Sequence, residues 1–241
     1  MGKNIIAQAR GKGGPTYRAP SFRYKGEIKH KKLDLNQQMN GTIIDIVNCC
    51  GHSSPLALVK YEDEKEDYIL APEGVAIGDT ITISNGVSID PKEGNVLCLK
   101  DIPEGSIINN IESIPGDGGK FVRASGTFAK VVSKHKDRVI VLLPSKKQKI
   151  FHPMCRATIG VIAGGGRTDK PFVKAGNKFY AMRARNKLYP KVSGSAMNAV
   201  DHPFGNKRTL RKSHAKPVSR HAPPGRKVGS IAARRTGRKK R

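Results

Sequence analysis

The chain has 241 residues, 37% of them hydrophobic, with no Trp, 26 Gly and 15 Pro, and it carries a formal charge of +26. That length suffices for one large or two small domains plus appendages, but so loop-rich a composition leaves much of the chain without a core of its own. The charge points to a polyanion, because Lys and Arg that neutralise phosphates release counterions. Its placement speaks against a globular enzyme that merely favours acidic substrates: residues 1–32 hold nine Lys/Arg against Glu27, residues 181–241 hold eighteen against Asp201, and residues 33–180 nearly balance, with eighteen against seventeen acids.

Residues 1–34 read as a basic N-terminal extension. Up to residue 32 no apolar period is sustained, and Gly11, Gly13, Gly14, Pro15 and Pro20 interrupt any regular element. Arg10, Lys12, Arg18 and Arg23 are its candidate phosphate contacts, with Tyr17, Phe22 and Tyr24 interleaved for stacking on bases or for anchoring to a core. By itself such a segment buries too little apolar surface to offset its ordering entropy, so the expectation is disorder until a partner covers it.

From Leu35 the texture becomes short β-rich runs separated by turns: TIIDIVN (42–48), LALVKY (56–61), DYILAP (67–72), DTITISN (79–85) and NVLCLKDI (95–102). Five strands at near-regular spacing predict an OB-like barrel over 35–100. Four basic and eleven acidic residues in 33–100 make this lobe a scaffold, or a surface for solvent or a protein neighbour. A second strand set follows: SIINNIES (106–113), GTFAKVVSKH (126–135), DRVIVLLP (137–144), KQKIFHP (147–153) and ATIGVIA (157–163). It predicts an SH3-like barrel over 101–180, where fourteen basic residues face six acids, so this lobe is the better candidate for direct RNA contact. Beyond Ala163 the patterning fades, and residues 181–241 form a basic C-terminal extension. The fold class is therefore all-β: an OB-like barrel, then an SH3-like barrel, with long irregular basic extensions at both ends.

Two glycine clusters sit beside cations, GDGGK (116–120) with Lys120 and AGGGR (163–167) with Arg167. A nucleotide-binding P-loop is excluded, because position 114, where the spacing needs Gly, is Ile. Flexible β-connections are one reading. The other, favoured by the charge map, is close approach of bare backbone to a sugar-phosphate surface, with Lys120 or Arg167 on phosphate and Arg123 and Arg156 nearby. In the C-terminal arm Arg183, Arg185, Arg226, Lys227, Arg234, Arg235 and Arg238 supply guanidinium and ammonium groups almost unmixed with acids. His202, beside Asp201, invites a general-base reading, but no motif ties a nucleophile to it, and hydrogen bonding or stacking on RNA is the alternative. Cys49, Cys50, Cys98 and Cys155 include no C-x-x-C, and Cys49-Cys50-Gly51-His52 lacks structural zinc spacing, so neither metal nor cofactor is expected. No apolar run approaches the ~18 residues of a membrane span, and the expected setting is reducing and cytoplasmic, without a membrane partner.

Five segments resemble a known family: RGKGGPTYRAPSFRYKG (10–26), IPGDGGKFVRASGTFAKVVS (114–133), HPMCRATIGVIAGGGRTDKP (152–171), SGSAMNAVDHPFG (193–205) and RHAPPGRKVGSIAARRTGR (220–238). They are colinear and spread over most of the chain, and they resemble the universal large ribosomal subunit protein two family in its archaeal/eukaryotic cytosolic type. The resemblance implies a primary binder of large-subunit rRNA near the peptidyl transferase region. It also implies support of subunit association and tRNA binding, neighbouring ribosomal proteins as partners, and a possible small-subunit rRNA contact. His202 matches the family's long-discussed histidine, with Ala196, Met197, Asn198 and Val200 as its matching neighbours. The implied role is to organise RNA rather than to catalyse. The sequence departs from the family after Gly205, where Asn206 to Lys212 replace a longer glycine run with histidines. The rival readings are an RNA-modifying or translation-linked enzyme using His202, and a chromatin-type basic protein.

Overall fold

A computed structural model of the chain describes residues 2–206 and 217–234. The chain divides into two compact units, one of residues 21–173 and one in which residues 1–20 fold with 174–241.

The larger unit is all-β. Its strands are β1 (Gln37–Val47), β2 (Leu56–Tyr61), β3 (Glu66–Leu70), β4 (Thr80–Asn85), β5 (Val96–Cys98), β6 (Ile107–Asn109), β7 (Ala129–Lys134), β8 (Val139–Leu142), β9 (Gln148–Phe151) and β10 (Arg156–Ile159). They hydrogen-bond in the order β3-β2-β1-β4-β5-β10-β6-β7-β8-β9. The first lobe packs Ile43, Val59, Tyr61, Ile69, Ile81 and Ile83 together, and the second packs Ile108, Val131, Val139, Val141 and Phe151. Burying each such side chain contributes roughly 1.5–3 kcal/mol, which makes these two clusters the main stabilisation of the unit.

The seam between the lobes explains a feature of the sequence. Successive residues of a strand point to opposite faces, and β5 uses this to serve both cores: Val96 joins the first cluster, Leu97 the second. The last strand, β10, returns to lie between β5 and β6, and all four of its residues are buried. Strands covered on both faces lose polar alternation. NVLCLKDI therefore reads as a continuous apolar run, while DTITISN on β4 alternates.

Two bulges account for exposed apolar residues. Pairing of β1 with β2 slips between Ile43 and Asp45, and that of β7 with β8 between Val131 and Ser133, leaving Ile44 and Val132 unpaired and facing outward. Gly41 on β1 is required for close packing, because a Cβ there would lie 2.5 Å from Val59 Cγ1 and 2.7 Å from Tyr61 Cδ1.

The N-terminal segment departs from its sequence reading. Ile28 is 1% exposed and packs with Cys49, Leu56, Leu70 and Ile162, and His30 is also buried. Residues 21–32 thus belong to the larger unit, and two of their side chains, Ile28 and His30, are covered by the chain's own strands. Single side chains inserted between charged neighbours create no period, so the sequence held no sign of this.

Among its described residues the smaller unit has two α-helices, α1 (Ile6–Gly11) and α2 (Ala175–Arg183), where the sequence indicated no regular element. Neither helix buries a residue, so neither leaves an apolar stripe to read. After α2, Asn186 adopts φ +49°, and Lys187 N–H donates back to the Met182 carbonyl at 2.8 Å, closing the helix end. The same asparagine joins the two ends of the chain. Its Nδ2 donates to the carbonyls of Thr16 (3.0 Å) and Arg18 (2.6 Å), and its own carbonyl accepts from Arg10 Nη2 (2.7 Å).

Candidate nucleic-acid interface

The GDGGK loop is an anion-binding nest, but its anion is internal. Glu112, on the stretch after β6, is fully buried. Its Oε2 accepts from Gly116 N–H (3.1 Å) and Arg156 N–H (2.8 Å), and its Oε1 from Gly118 N–H (3.1 Å) and from Arg156 Nε (3.2 Å) and Nη2 (2.9 Å). Successive backbone N–H groups in a turn of left-handed residues make such a cradle, and Gly116, Gly118 and Gly119 all have positive φ. Asp117 turns inward too. Burial pushes its carboxyl up, but hydrogen bonds from Gly119, Lys120, Ile114 and Ser113 outweigh that and hold it below the usual range.

Arg156, a candidate phosphate contact from the sequence, is instead engaged by the Glu112 carboxylate. It is 3% exposed, and the donor that does not reach Glu112, Nη1, bonds the Lys31 carbonyl at 2.7 Å. It is a structural cation, withdrawn from any external phosphate. Arg123 is partly withdrawn as well: it is half-buried, with Nη2 on the Ile28 carbonyl (2.9 Å) and Nη1 on the Gly119 carbonyl (3.3 Å). Both charges act on the buried His30, whose Nε2–H donates to the Asn110 carbonyl at 2.7 Å. Burial, then the Arg156 charge, pushes its imidazole down to about 4. His30, Glu112 and Arg156 are a buried polar network that the sequence reading missed; their positions in the chain carry no spacing that could have revealed them.

The second glycine cluster differs. Gly164 (φ +82°) and Gly165 allow two backbones to meet, since a Cβ on Gly126 would lie 2.3 Å from the Gly165 Cα, whereas Gly166 has open space around its Cα. Arg167 is exposed, and its Nε donates to Ser125 Oγ at 3.0 Å, which tethers the guanidinium to the loop. Lys120 is also exposed and loosely paired with Asp117 at 3.3 Å. Arg23 is exposed, with its guanidinium 5.4 Å from the Phe22 ring, itself 82% exposed, so a planar cation and a bare ring stand together. Tyr24, in contrast, packs on the core beside Val47 and Tyr68. Of the interleaved aromatics, Tyr24 thus anchors to the core and Phe22 is left exposed.

In the smaller unit Lys12, Arg18, Arg183, Arg226, Lys227 and Arg234 are exposed, while Arg10 and Arg185 are half-buried. Arg10 lies over the Tyr17 ring at 5.3 Å and is held by Asn186. Arg235 and Arg238 lie outside the described residues, as does most of the segment that follows Gly205. Residues 193–206 form a self-bonded loop: Ala196 N–H to Ser193 O, His202 N–H to Asn198 O, Gly205 N–H to His202 O and Asn206 N–H to Met197 O. Asn198 is exposed on it, and His202 is half-buried. The His202 ring lies on bare backbone, since a Cβ on Gly194 would come within 2.3 Å of its Cε1. Phe204 N–H donates to His202 Nδ1 at 3.1 Å. With Nδ1 accepting, the neutral ring carries its proton on Nε2 and offers a donor there rather than a base.

The order of these segments recurs in known proteins. The family model for "Ribosomal Proteins L2, RNA binding N-terminal domain" matches residues 2–83, and that for "Ribosomal Proteins L2, C-terminal domain" matches residues 92–223. The chain belongs to the ribosomal protein L2 family. Among its relatives, large ribosomal subunit protein uL2 of Methanococcoides burtonii is 54% identical over 241 residues, covering 99% of this chain and all of that protein. The uL2 of Archaeoglobus fulgidus is 56% identical over 98% of this chain and 99% of its own length. That of Halorubrum lacusprofundi is 55% identical over 99% and 98%. The chain spans nearly the full length of these relatives, and the gap between the two domain matches, 84–91, takes in the end of β4 and the start of its connection to β5.

Proposed function

We propose that this chain is a structural constituent of the large ribosomal subunit that binds its rRNA through the smaller unit and through the exposed cations of the second lobe. The observation that carries this is the make-up of the smaller unit. It holds 24 Lys and Arg against a single acid, Asp201. Among its described residues only Ile5 and Val228 are buried hydrophobics. A unit with so little apolar burial and so much unbalanced charge is stabilised when a polyanion neutralises and covers it. The contact set proposed for rRNA is Arg10, Lys12, Arg18, Arg23, Lys120, Arg167, Arg183, Arg185, Asn198, His202, Arg226, Lys227, Arg234, Arg235 and Arg238, with Arg123 contributing in part.

His202 serves this role as a hydrogen-bond donor, and the protein organises RNA near the peptidyl transferase region without catalysing. The acidic first lobe, which repels phosphate, is left for neighbouring ribosomal proteins or solvent. Support of subunit association and tRNA binding, a contact with small-subunit rRNA, and residence on cytoplasmic ribosomes complete the reading.

Filter binding of the purified chain to large-subunit rRNA between about 50 and 200 mM salt tests the electrostatic part. Six to ten phosphate contacts give a loss of roughly a thousandfold or more over that range. An affinity indifferent to salt overturns it. Subunits assembled with His202→Ala are expected to retain peptide-bond formation, and its complete loss would favour the enzymatic alternative.

A further inference from the structure

A cleft of about 760 Å³ lies within the smaller unit, walled by Ile6, Leu188, Val192, Phe204, Val228 and Ile231. Its apolar walls face water: Ile6 is 43% exposed, Leu188 45%, Val192 54% and Ile231 46%. Three cations, Arg10, Lys191 and Lys227, also line it, against one acid, Asp201. Uncovered aliphatic surface of this kind is a liability that a binding partner removes, and the charge requires that partner to be anionic.

We infer that the cleft receives an unstacked nucleotide of rRNA, the base between the aliphatic walls and the phosphates on the cationic lining. This rests on the rRNA-binding reading above and adds a particular pocket to it. A nucleobase has two flat apolar faces and a polar edge, joined to an anionic backbone, and the lining matches each part. Ile6, Val192 and Ile231 supply apolar contact; Asn4, Ser193 and Ser195 place amide and hydroxyl groups in the same lining for a base edge; the three cations complement the phosphates. The volume is ample for one nucleoside, within the usual range of ligand pockets. An apolar peptide would use the walls but leave the excess positive charge unmatched.

The experiment uses the full chain and full-length large-subunit rRNA carrying photoreactive 4-thiouridine. Wild type is expected to crosslink to specific nucleotides through residues of this lining. Val192→Trp, at a position exposed enough to accept the larger side chain, fills the cleft. It is expected to abolish those crosslinks and weaken binding roughly tenfold, the scale of one stacked base, with the salt slope unchanged. A second filling variant, Ile231→Trp, is expected to behave alike. Unchanged affinity and crosslinks in both variants overturn the inference, as does normal rRNA binding combined with loss of a neighbouring ribosomal protein from assembled subunits. Failure of the wider reading has a different signature: wild type itself would bind rRNA without salt dependence.

Discussion

At the scale of single residues, availability separates cations that the sequence makes look equivalent. Arg156 and Arg167 sit eleven positions apart in the sequence, yet one is sealed against Glu112 and the other is exposed. Removing one member of a buried ion pair leaves the other charge uncompensated and costs about 3–5 kcal/mol. Glu112→Ala should therefore lower the melting temperature of the larger unit by about 10 °C in calorimetry, and Arg156→Ala should resemble it. Arg167→Ala should instead leave the melting temperature unchanged and weaken rRNA binding. His30 gives the same network a pH signature. Its folded-state value is depressed to about 4 from an ordinary 6.5, so the unfolded chain takes up the proton first. Stability is complete above about 6.5 and falls as pH drops toward 4, with a slope of at most ~1.4 kcal/mol per pH unit. His52, lowered chiefly by burial as well, adds in the same direction. Denaturant midpoints between pH 7 and 4 should show the decline, and His30→Gln should flatten it substantially; an equal slope in that variant would contradict the assignment.

At the scale of elements, the strands were legible and the loops were not. LALVKY and the alternating DTITISN correspond closely to β2 and β4, because one-sided burial writes period-two patterns into a sequence. The GDGGK loop resisted the same treatment. Glycines that expose backbone N–H groups are chemically ready for a phosphate or for a carboxylate, and only the approach of Glu112 decided between them. The 193–206 loop is a comparable case, since Gly194 matters through a ring eight residues away. Gly194→Ala should displace His202 and alter its imidazole resonances in NMR, while the larger unit melts as before. Unshifted His202 resonances would mean that the ring does not rest on this backbone.

At the scale of the whole molecule, the two units differ in what holds them. The larger has two apolar clusters and a third around Ile28; the smaller is held by backbone and side-chain hydrogen bonds such as those of Asn186. Regions with few buried apolar contacts open at low free energy. Limited proteolysis of the free chain should therefore trim residues 1–20 and 174–241 first and leave a fragment close to 21–173, and bound rRNA should slow the trimming. Equal resistance along the free chain would contradict this difference.

The sequence by itself determined the β-rich body, the placement of most strands, the concentration of positive charge at the two ends and, from these, a polyanionic partner. These properties are local or additive: burial on one face sets a period, and charges sum wherever they fall. Tertiary structure alone decided which glycines and cations face outward. It turned GDGGK toward Glu112, buried Arg156, Ile28 and His30, joined the chain's two ends through Asn186, and formed the cleft beside His202. The reason is physical. A cation's reach depends on whether a carboxylate meets it, and here that carboxylate lies 44 residues away in sequence, brought close only when β10 folds back between β5 and β6.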